Sequence, residues 1–97
     1  MYTSIRRYTT DPNDAAEIIN LVQQGNINKL IGSIPGFISY YIIDCGGGTV
    51  ATVSVFEDQT GADQSNAVAA EWVKEKILPT YSLSAPDITA GEVVLSA

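Results

Sequence analysis

Five side chains in this sequence could contact a small molecule: Arg6, Tyr40, Tyr41, Asn66 and Trp72. A phenol can hydrogen-bond an oxygen of a quinone or phenol, an arginine can stabilise an enolate or phenolate, and a buried amide needs polar partners. The chain has no histidine and a single cysteine. Any catalysis must therefore depend on carboxylates, tyrosines, arginine, amides or the reactivity of the substrate itself.

The missing histidines also exclude whole classes of site. A Ser-His-Asp triad, a His-paired thiol, a His-rich zinc site and a His-ligated haem all need a residue that this chain lacks. Cys45 has no partner for an internal disulfide and no nearby base to activate it. We therefore expect no tightly bound transition metal, no haem and no cofactor.

Composition narrows the possible partners. The 97 residues are 45% hydrophobic and carry five basic and eleven acidic side chains, a net charge of −6. This indicates one folded domain over residues 1–97. The negative charge argues against nucleic acid, which requires a basic surface. There is neither an apolar run of the ~20 residues that span a bilayer nor a visible signal peptide, so we expect a cytoplasmic protein without membrane contact.

Apolar spacing places the elements of the first half. Residues 2–8 are typical of a strand, and Asp11 with Pro12 predicts a helix start. Two apolar stripes at helical spacing follow, and they are out of phase by ~120°. We expect a break between them at Gly25-Asn26. The first stripe contains Ala15, Ile18, Ile19 and Val22, and the second contains Ile27, Leu30, Ile31 and Ile34.

The second half predicts a hairpin, a helix and a last strand. Strands over 37–44 and 49–56 flank a glycine-rich turn, a helix capped by Asp58 or Thr60 runs to about Ile77, and the last strand covers 90–96. The resulting fold is α+β: a ferredoxin-like β-α-β-β-α-β unit. Its four-stranded antiparallel sheet would carry the helices on one face.

The strands of the hairpin are apolar on both sides. Strict alternation places Phe37, Tyr41 and Ile43 on one side of strand two and Ile38, Tyr40 and Ile42 on the other. The helices can cover only one face, so the other would expose an apolar surface large enough to bind a partner. We expect a homodimer formed through the open sheet face.

Asn66 and Trp72 both lie on the inward arc of the second long helix, at ~100° per residue. The simplest interpretation of Trp72 is a core anchor. Asn66 is more informative, because its buried amide would bond either to the sheet or to a ligand. Small residues on the same arc predict a cavity between helix and sheet that is lined by both side chains and binds a flat, mostly apolar ligand.

The remaining candidates have ordinary structural alternatives. One of Tyr40 and Tyr41 should face the helices and the other the proposed dimer interface, and either could be a plain core tyrosine. For Arg6 the alternatives are an ion pair with Glu92 across neighbouring strands and stabilisation of a substrate anion. Gly46-Gly47-Gly48 lacks the features of a phosphate-binding loop and is typical of a hairpin turn. Glu57 and Asp58 are explained as helix caps.

Three segments of the sequence resemble small proteins of the antibiotic-biosynthesis-monooxygenase-like group, in the dimeric α/β-barrel superfamily. These are Ile34-Pro35-Gly36-Phe37, the hairpin ending in Ser54-Val55-Phe56-Glu57-Asp58, and the helix from Ser65-Asn66 to Trp72-Val73. The resemblance implies a dimer that holds a small molecule between helices and sheet. It also implies a cofactor-independent monooxygenase-like activity on a small aromatic or polyketide-like molecule. The alternatives are a non-catalytic binding or stress-response dimer and a purely structural module.

Overall fold

Four strands and three helices make up the fold. The computed structural model describes residues 1–97, and the strands form one antiparallel sheet in the order β2-β3-β1-β4. No helix is both long and apolar enough to cross a bilayer. The ferredoxin-like prediction is confirmed, with the first helical region divided in two. In chain order the elements are β1 (Tyr2–Thr9), α1 (Ala15–Gln24), α2 (Ile27–Gly32), β2 (Phe37–Gly46), β3 (Thr49–Phe56), α3 (Gln59–Lys76) and β4 (Asp87–Glu92).

The predicted break in the first helical region docks onto the tryptophan of α3. The indole Nε1–H of Trp72 donates to Asn26 Oδ1 at 3.0 Å. Gly25 packs so closely behind the ring that a Cβ atom there would lie 2.5 Å from Trp72 Cζ2. Two short helices can each turn their apolar stripe inward, as Ile18, Ile27 and Ile31 do with at most 3% of their surface exposed.

Helix α3 begins and ends as its sequence predicts. The carboxylate of Asp58 accepts a hydrogen bond from the backbone N–H of Gly61 at 3.1 Å, which makes it the helix cap. Asp11 was also predicted to cap a helix, and that prediction is wrong. It accepts from the N–H of Asn13 and forms a turn ahead of α1, which begins after Asp14.

The last strand lies three residues earlier than predicted, and this changes the neighbours of Arg6. β4 covers Asp87–Glu92, so Arg6 is opposite Ile88 and Glu92 is opposite Tyr2. The predicted Arg6–Glu92 pair is therefore absent, and Glu92 instead lies 3.8 Å from the amino terminus. The apolar Val94 and Leu95, which the predicted strand included, lie beyond β4 and are 91% and 87% exposed.

An irregularity in β2 also corrects the predicted strand faces. A register shift between Phe37 and Ser39 makes two residues oppose Phe56. Phe37 thus turns toward the helices, where its ring meets that of Phe56 edge-on at 5.8 Å, instead of sharing a side with Tyr41. Ile38 lies at the shift and is 43% exposed.

The two faces of the sheet differ sharply. The inner face, under the helices, carries Ser4, Arg6, Thr52 and Ser54, all buried. The opposite side, here called the outer sheet face, is apolar and partly open to solvent: Tyr41 is 58% exposed and Ile43 is 44% exposed. The register places on it Ile5, Tyr41, Ile43, Ala51, Val53 and Val55.

The helix junction provides a stability test. We expect Gly25→Ala to lower the free energy of unfolding by about 1–3 kcal/mol, because the new methyl group collides with the Trp72 ring. Gly32→Ala is the matched control: its Cβ would meet only Phe37 Cε2 at 3.9 Å, and alanine favours a helix by about 1 kcal/mol. Urea unfolding of both variants checks this, and equal stabilities would contradict the close packing.

Candidate functional site

Arg6 is the most unusual side chain of the protein. It lies in the middle of the sheet, points toward α3 and is only 1% exposed. Its Nη1 donates to Asn66 Oδ1 at 2.7 Å and to Ser65 Oγ at 3.2 Å, and its Nη2 donates to Ser54 Oγ at 2.9 Å. The guanidinium therefore joins the sheet to α3 through neutral partners.

No carboxylate balances the charge of Arg6. The ion pairs of the protein are Arg7 with Asp87 and the amino terminus with Glu92, both at the surface. Buried charges in proteins are normally paired, and an arginine cannot escape by losing its proton. The positive charge thus acts on whatever occupies the space nearby, and it favours an anion there.

Asn66 is hydrogen-bonded to Arg6 and lies at the edge of the polar cluster formed by Arg6 and its partners. Its Oδ1 accepts from both Arg6 and Ser4 Oγ, each at 2.7 Å. Because an arginine can only donate, the atom it contacts must be the amide oxygen, and the orientation of the amide is settled. The Nδ2 group remains free to donate to a ligand. The predicted bond from Asn66 to the sheet exists, and it leaves two N–H donors unused.

Two neighbouring cavities lie beside this cluster. The larger, which we call the Asn66 cavity, measures about 260 Å³ and lies between α3, β4 and residues 77–86. The smaller, the Trp72 chamber, measures about 40 Å³ and lies between α1, α3 and the inner face of the sheet. Tyr8, Val73 and Leu83 line both. The single predicted cavity is thus divided, with Asn66 lining one part and Trp72 the other.

Trp72 is a wall of its chamber and an anchor of the core. The side chain is 6% exposed, and the bond to Asn26 occupies its only donor. A ligand can therefore meet the indole only through its ring. This agrees with the interpretation of Trp72 as a core anchor, and it leaves Asn66 as the polar group for recognition.

The two adjacent tyrosines have different positions. Tyr40 lines the Trp72 chamber, whereas Tyr41 lies on the outer sheet face and takes no part in the site. Burial raises the pKa of Tyr40, and the nearby Arg6 charge opposes that rise without cancelling it. Burial likewise raises the pKa of Tyr8, again against the opposing effect of Arg6. Both phenols are therefore protonated near neutral pH and can donate hydrogen bonds.

Sequence reasoning missed several members of the site. Tyr8 follows Arg6 by two residues and so shares its face of β1, as strand alternation indicates. Ser4 and Ser54 could have been recognised as inward-facing hydroxyls in otherwise apolar strands. Leu83, which lines both cavities, belongs to a segment without periodicity, and nothing in the sequence indicates its position.

Comparison with known proteins identifies the architecture. No protein-family profile and no curated protein sequence matches the chain. Solved structures do match. A protein of unknown function from Nitrosomonas europaea superposes with a TM-score of 0.78 at 17% identity, over 99% of this chain and 91% of the other. SnoaB, a cofactor-independent oxygenase from Streptomyces nogalater, gives 0.67 at 14%, over 98% and 94%.

The chain has the antibiotic-biosynthesis-monooxygenase fold. Several further matches at similar identity carry that family name. A dimeric ferredoxin-like protein from an uncultured marine organism also matches, with a TM-score of 0.74 at 14% identity over 99% of this chain and 95% of the other. The resemblance suggested by the sequence is thus confirmed for the fold. At these identities the likeness shows architecture, and function must be argued from the site itself.

Proposed function

We propose that this protein is a cofactor-independent monooxygenase-like enzyme that binds a small aromatic or polyketide-like molecule as an oxyanion in the Asn66 cavity. The observation that carries the proposal is the buried charge of Arg6, which has no carboxylate partner and contacts the amide that lines this cavity. An oxyanion could accept a hydrogen bond from Asn66 Nδ2, an amide donor that is polarised by the neighbouring positive charge of Arg6. SnoaB, which shares the fold, is named a cofactor-independent oxygenase, and this supports the same proposal.

The chemistry follows from anion stabilisation. An electron-rich phenol or enol that loses its proton becomes able to reduce dioxygen. Over the full reaction a ring CH₂ group and one O₂ give a ring ketone and one water, so the substrate supplies both electron pairs that reduce the oxygen. The protein contributes a lowered substrate pKa, an apolar enclosure and a fixed orientation. Asn66 touches the substrate, while Arg6 acts through Asn66 as a positioning and electrostatic residue.

One feature of the cavity favours the alternative, a non-catalytic binding dimer. No carboxylate or other strong base lines the Asn66 cavity, and the raised pKa of Tyr8 keeps its phenol protonated. In the enzymatic proposal the substrate therefore transfers its proton to water. That step suits acidic phenols and enols, in which a nearby cation suffices to stabilise the anion.

The proposal is tested by oxygen uptake with a panel of hydroquinones and related phenols. We expect the wild type to accelerate uptake and Asn66→Asp to reduce kcat/KM at least 100-fold. The carboxylate still accepts from Arg6 and Ser4, but it neutralises the guanidinium and removes the Nδ2 donors. Asn20→Asp, the same change at an exposed position of α1, is the control and should retain full activity.

The outcomes separate the candidate functions. Binding of these phenols without oxygen uptake would support the non-catalytic dimer and overturn the enzymatic proposal. Neither binding nor uptake would leave a structural module. Equal activity of Asn66→Asp and the wild type would show that the Arg6 charge has no role in the reaction.

The outer sheet face supports a second proposal, a homodimer in which two copies pair sheet to sheet. Its apolar side chains lie side by side on β1, β2 and β3, and all of them except Ala51 are partly exposed. Large exposed apolar patches mark interaction surfaces. The dimeric ferredoxin-like protein of the same fold supports the choice of a second copy as the partner.

The dimer is tested by one matched pair of substitutions. Ile43 on the outer sheet face and Leu30 on α2 are 44% and 42% exposed. Burying one such side chain is worth about 1.5–3 kcal/mol, so Ile43→Lys should weaken the dimer at least tenfold, whereas Leu30→Lys should not. Sedimentation equilibrium measures both. A wild-type monomer at micromolar concentration would refute this assembly.

A further inference from the structure

We infer that the Trp72 chamber is a subsite for an apolar substituent of the substrate, so that the preferred substrates are phenols or enols that carry a short alkyl chain. The inference rests on the proposed function and deepens it, because it names the class of molecule that the two cavities together would take. The oxyanion of such a molecule would be held at Asn66, and its alkyl chain would lie in the chamber.

The two cavities differ in the surface that they offer. Asn66 and Ser84 are polar residues in the wall of the Asn66 cavity. The Trp72 chamber exposes almost wholly apolar surface, which comes from aliphatic and aromatic side chains. A charged or strongly polar group would lose its hydration there without compensation, whereas an alkyl group would not. The chamber therefore selects the apolar end of a molecule whose polar end is bound elsewhere.

Helix α3 places the two cavities side by side. Asn66, Ala70 and Val73 are spaced at i, i+4 and i+7 and line the Asn66 cavity. Ala69, Trp72 and Val73 are spaced at i, i+3 and i+4 and line the Trp72 chamber. Val73 thus belongs to both, and it follows Asn66 by two helical turns, about 10 Å along the axis. A phenol that is hydrogen-bonded to the amide spans most of this distance with its ring, so a para substituent reaches the boundary of the chamber.

Side chains that can move form the boundary between the two cavities. Tyr8, Val73 and Leu83 line both of them. Val73 and Leu83 are partly exposed, and exposed side chains exchange rotamers within nanoseconds. Leu83 also belongs to the irregular segment 77–86 and is not fixed in a helix or strand. A substituent can therefore enter the chamber between these side chains while the backbone keeps its path.

The volume of the chamber limits the length of the substituent. The chamber measures about 40 Å³, and a water-sized sphere takes up about 10–15 Å³ of such space. There is thus room for a chain of about three carbon atoms, and a second ring is excluded. The walls of an apolar void lack contacts that a close-packed core would make, and an alkyl chain that fills the void supplies them.

The first experiment measures binding and requires no turnover. Calorimetry gives the dissociation constants of the wild type for phenol and for 4-alkylphenols with methyl, ethyl, propyl and pentyl chains. The affinity should rise about fourfold with each carbon up to propyl and should rise no further for pentyl. An affinity that keeps rising at the same rate to pentyl would show that the chain lies on an open surface and would overturn the subsite.

Two neighbouring alanines of α3 provide a matched pair of substitutions. Ala69 lines only the chamber, and Ala70 lines only the Asn66 cavity. The wild type should prefer 4-propylphenol over phenol about 60-fold. Ala69→Val adds two carbons to the chamber wall and should reduce this ratio to about fourfold, whereas Ala70→Val should retain it. Equal ratios in the two variants would place the chain outside the chamber and overturn the inference.

Val22→Ala provides a second test should Ala69→Val fail to fold. Val22 lines the chamber from α1, and alanine is the better helix former. Removal of two carbons from the wall should move the best chain length from propyl to pentyl, and an unchanged best length would count against the subsite. Wild-type protein that binds phenol but shows no preference for an alkyl chain would overturn the subsite alone. Failure to bind any of these phenols would instead overturn the proposed function and, with it, this inference.

Discussion

The buried charge of Arg6 is the constraint on which the site depends. The inner face of β1 and β3 carries the hydroxyls of Ser4, Thr52 and Ser54, where an apolar core would place aliphatic side chains. Ser54 and the amide of Asn66 accept from the guanidinium, but none of these groups neutralises it. A protein of net charge −6 thus encloses a cation and keeps its carboxylates away. Such an arrangement costs folding free energy and is useful where an anion must be held.

The same charge organises the two cavities. On one side it fixes the amide of Asn66 with its N–H groups unused, and on the other it lies next to Thr52 and the two inner tyrosines. The helix break contributes by seating Trp72, whose only donor is satisfied by Asn26. The indole is therefore a rigid apolar wall. Arg6 and Asn66 are therefore the residues that recognise charge, whereas Trp72 provides apolar surface.

Periodicity made the architecture predictable from sequence, because alternation and helical spacing report directly which face is buried. The phase mismatch between the two apolar stripes located the break at Gly25, and the doubly apolar hairpin indicated an exposed face. Errors arose where a local irregularity overrides the pattern. The register shift after Phe37 reverses one face, and the exposed Val94 and Leu95 have the composition of a strand but lie outside β4.

The site was less predictable because it depends on register and on loops. Asn66 and Trp72 could be identified from one helical wheel. The partners of Arg6 could not, because the later position predicted for β4 placed Glu92 opposite it, four residues from the observed partner Ile88, and supplied a false counterion. The position of Tyr8 on the inner face could have been predicted from simple strand alternation. Leu83, which lines both cavities, belongs to residues 77–86, whose path no short-range pattern determines.

The ionisation of a bound phenol tests the role of the Arg6 charge most directly. p-Nitrophenol changes its visible absorbance on ionisation, so its pKa can be read while it is bound to the protein. The wild type should lower that pKa by about one unit or more, equivalent to about 1.4 kcal/mol, and Arg6→Met, with its fold checked by circular dichroism, should abolish the shift. An equal shift in both proteins, or none in the wild type, would contradict the account.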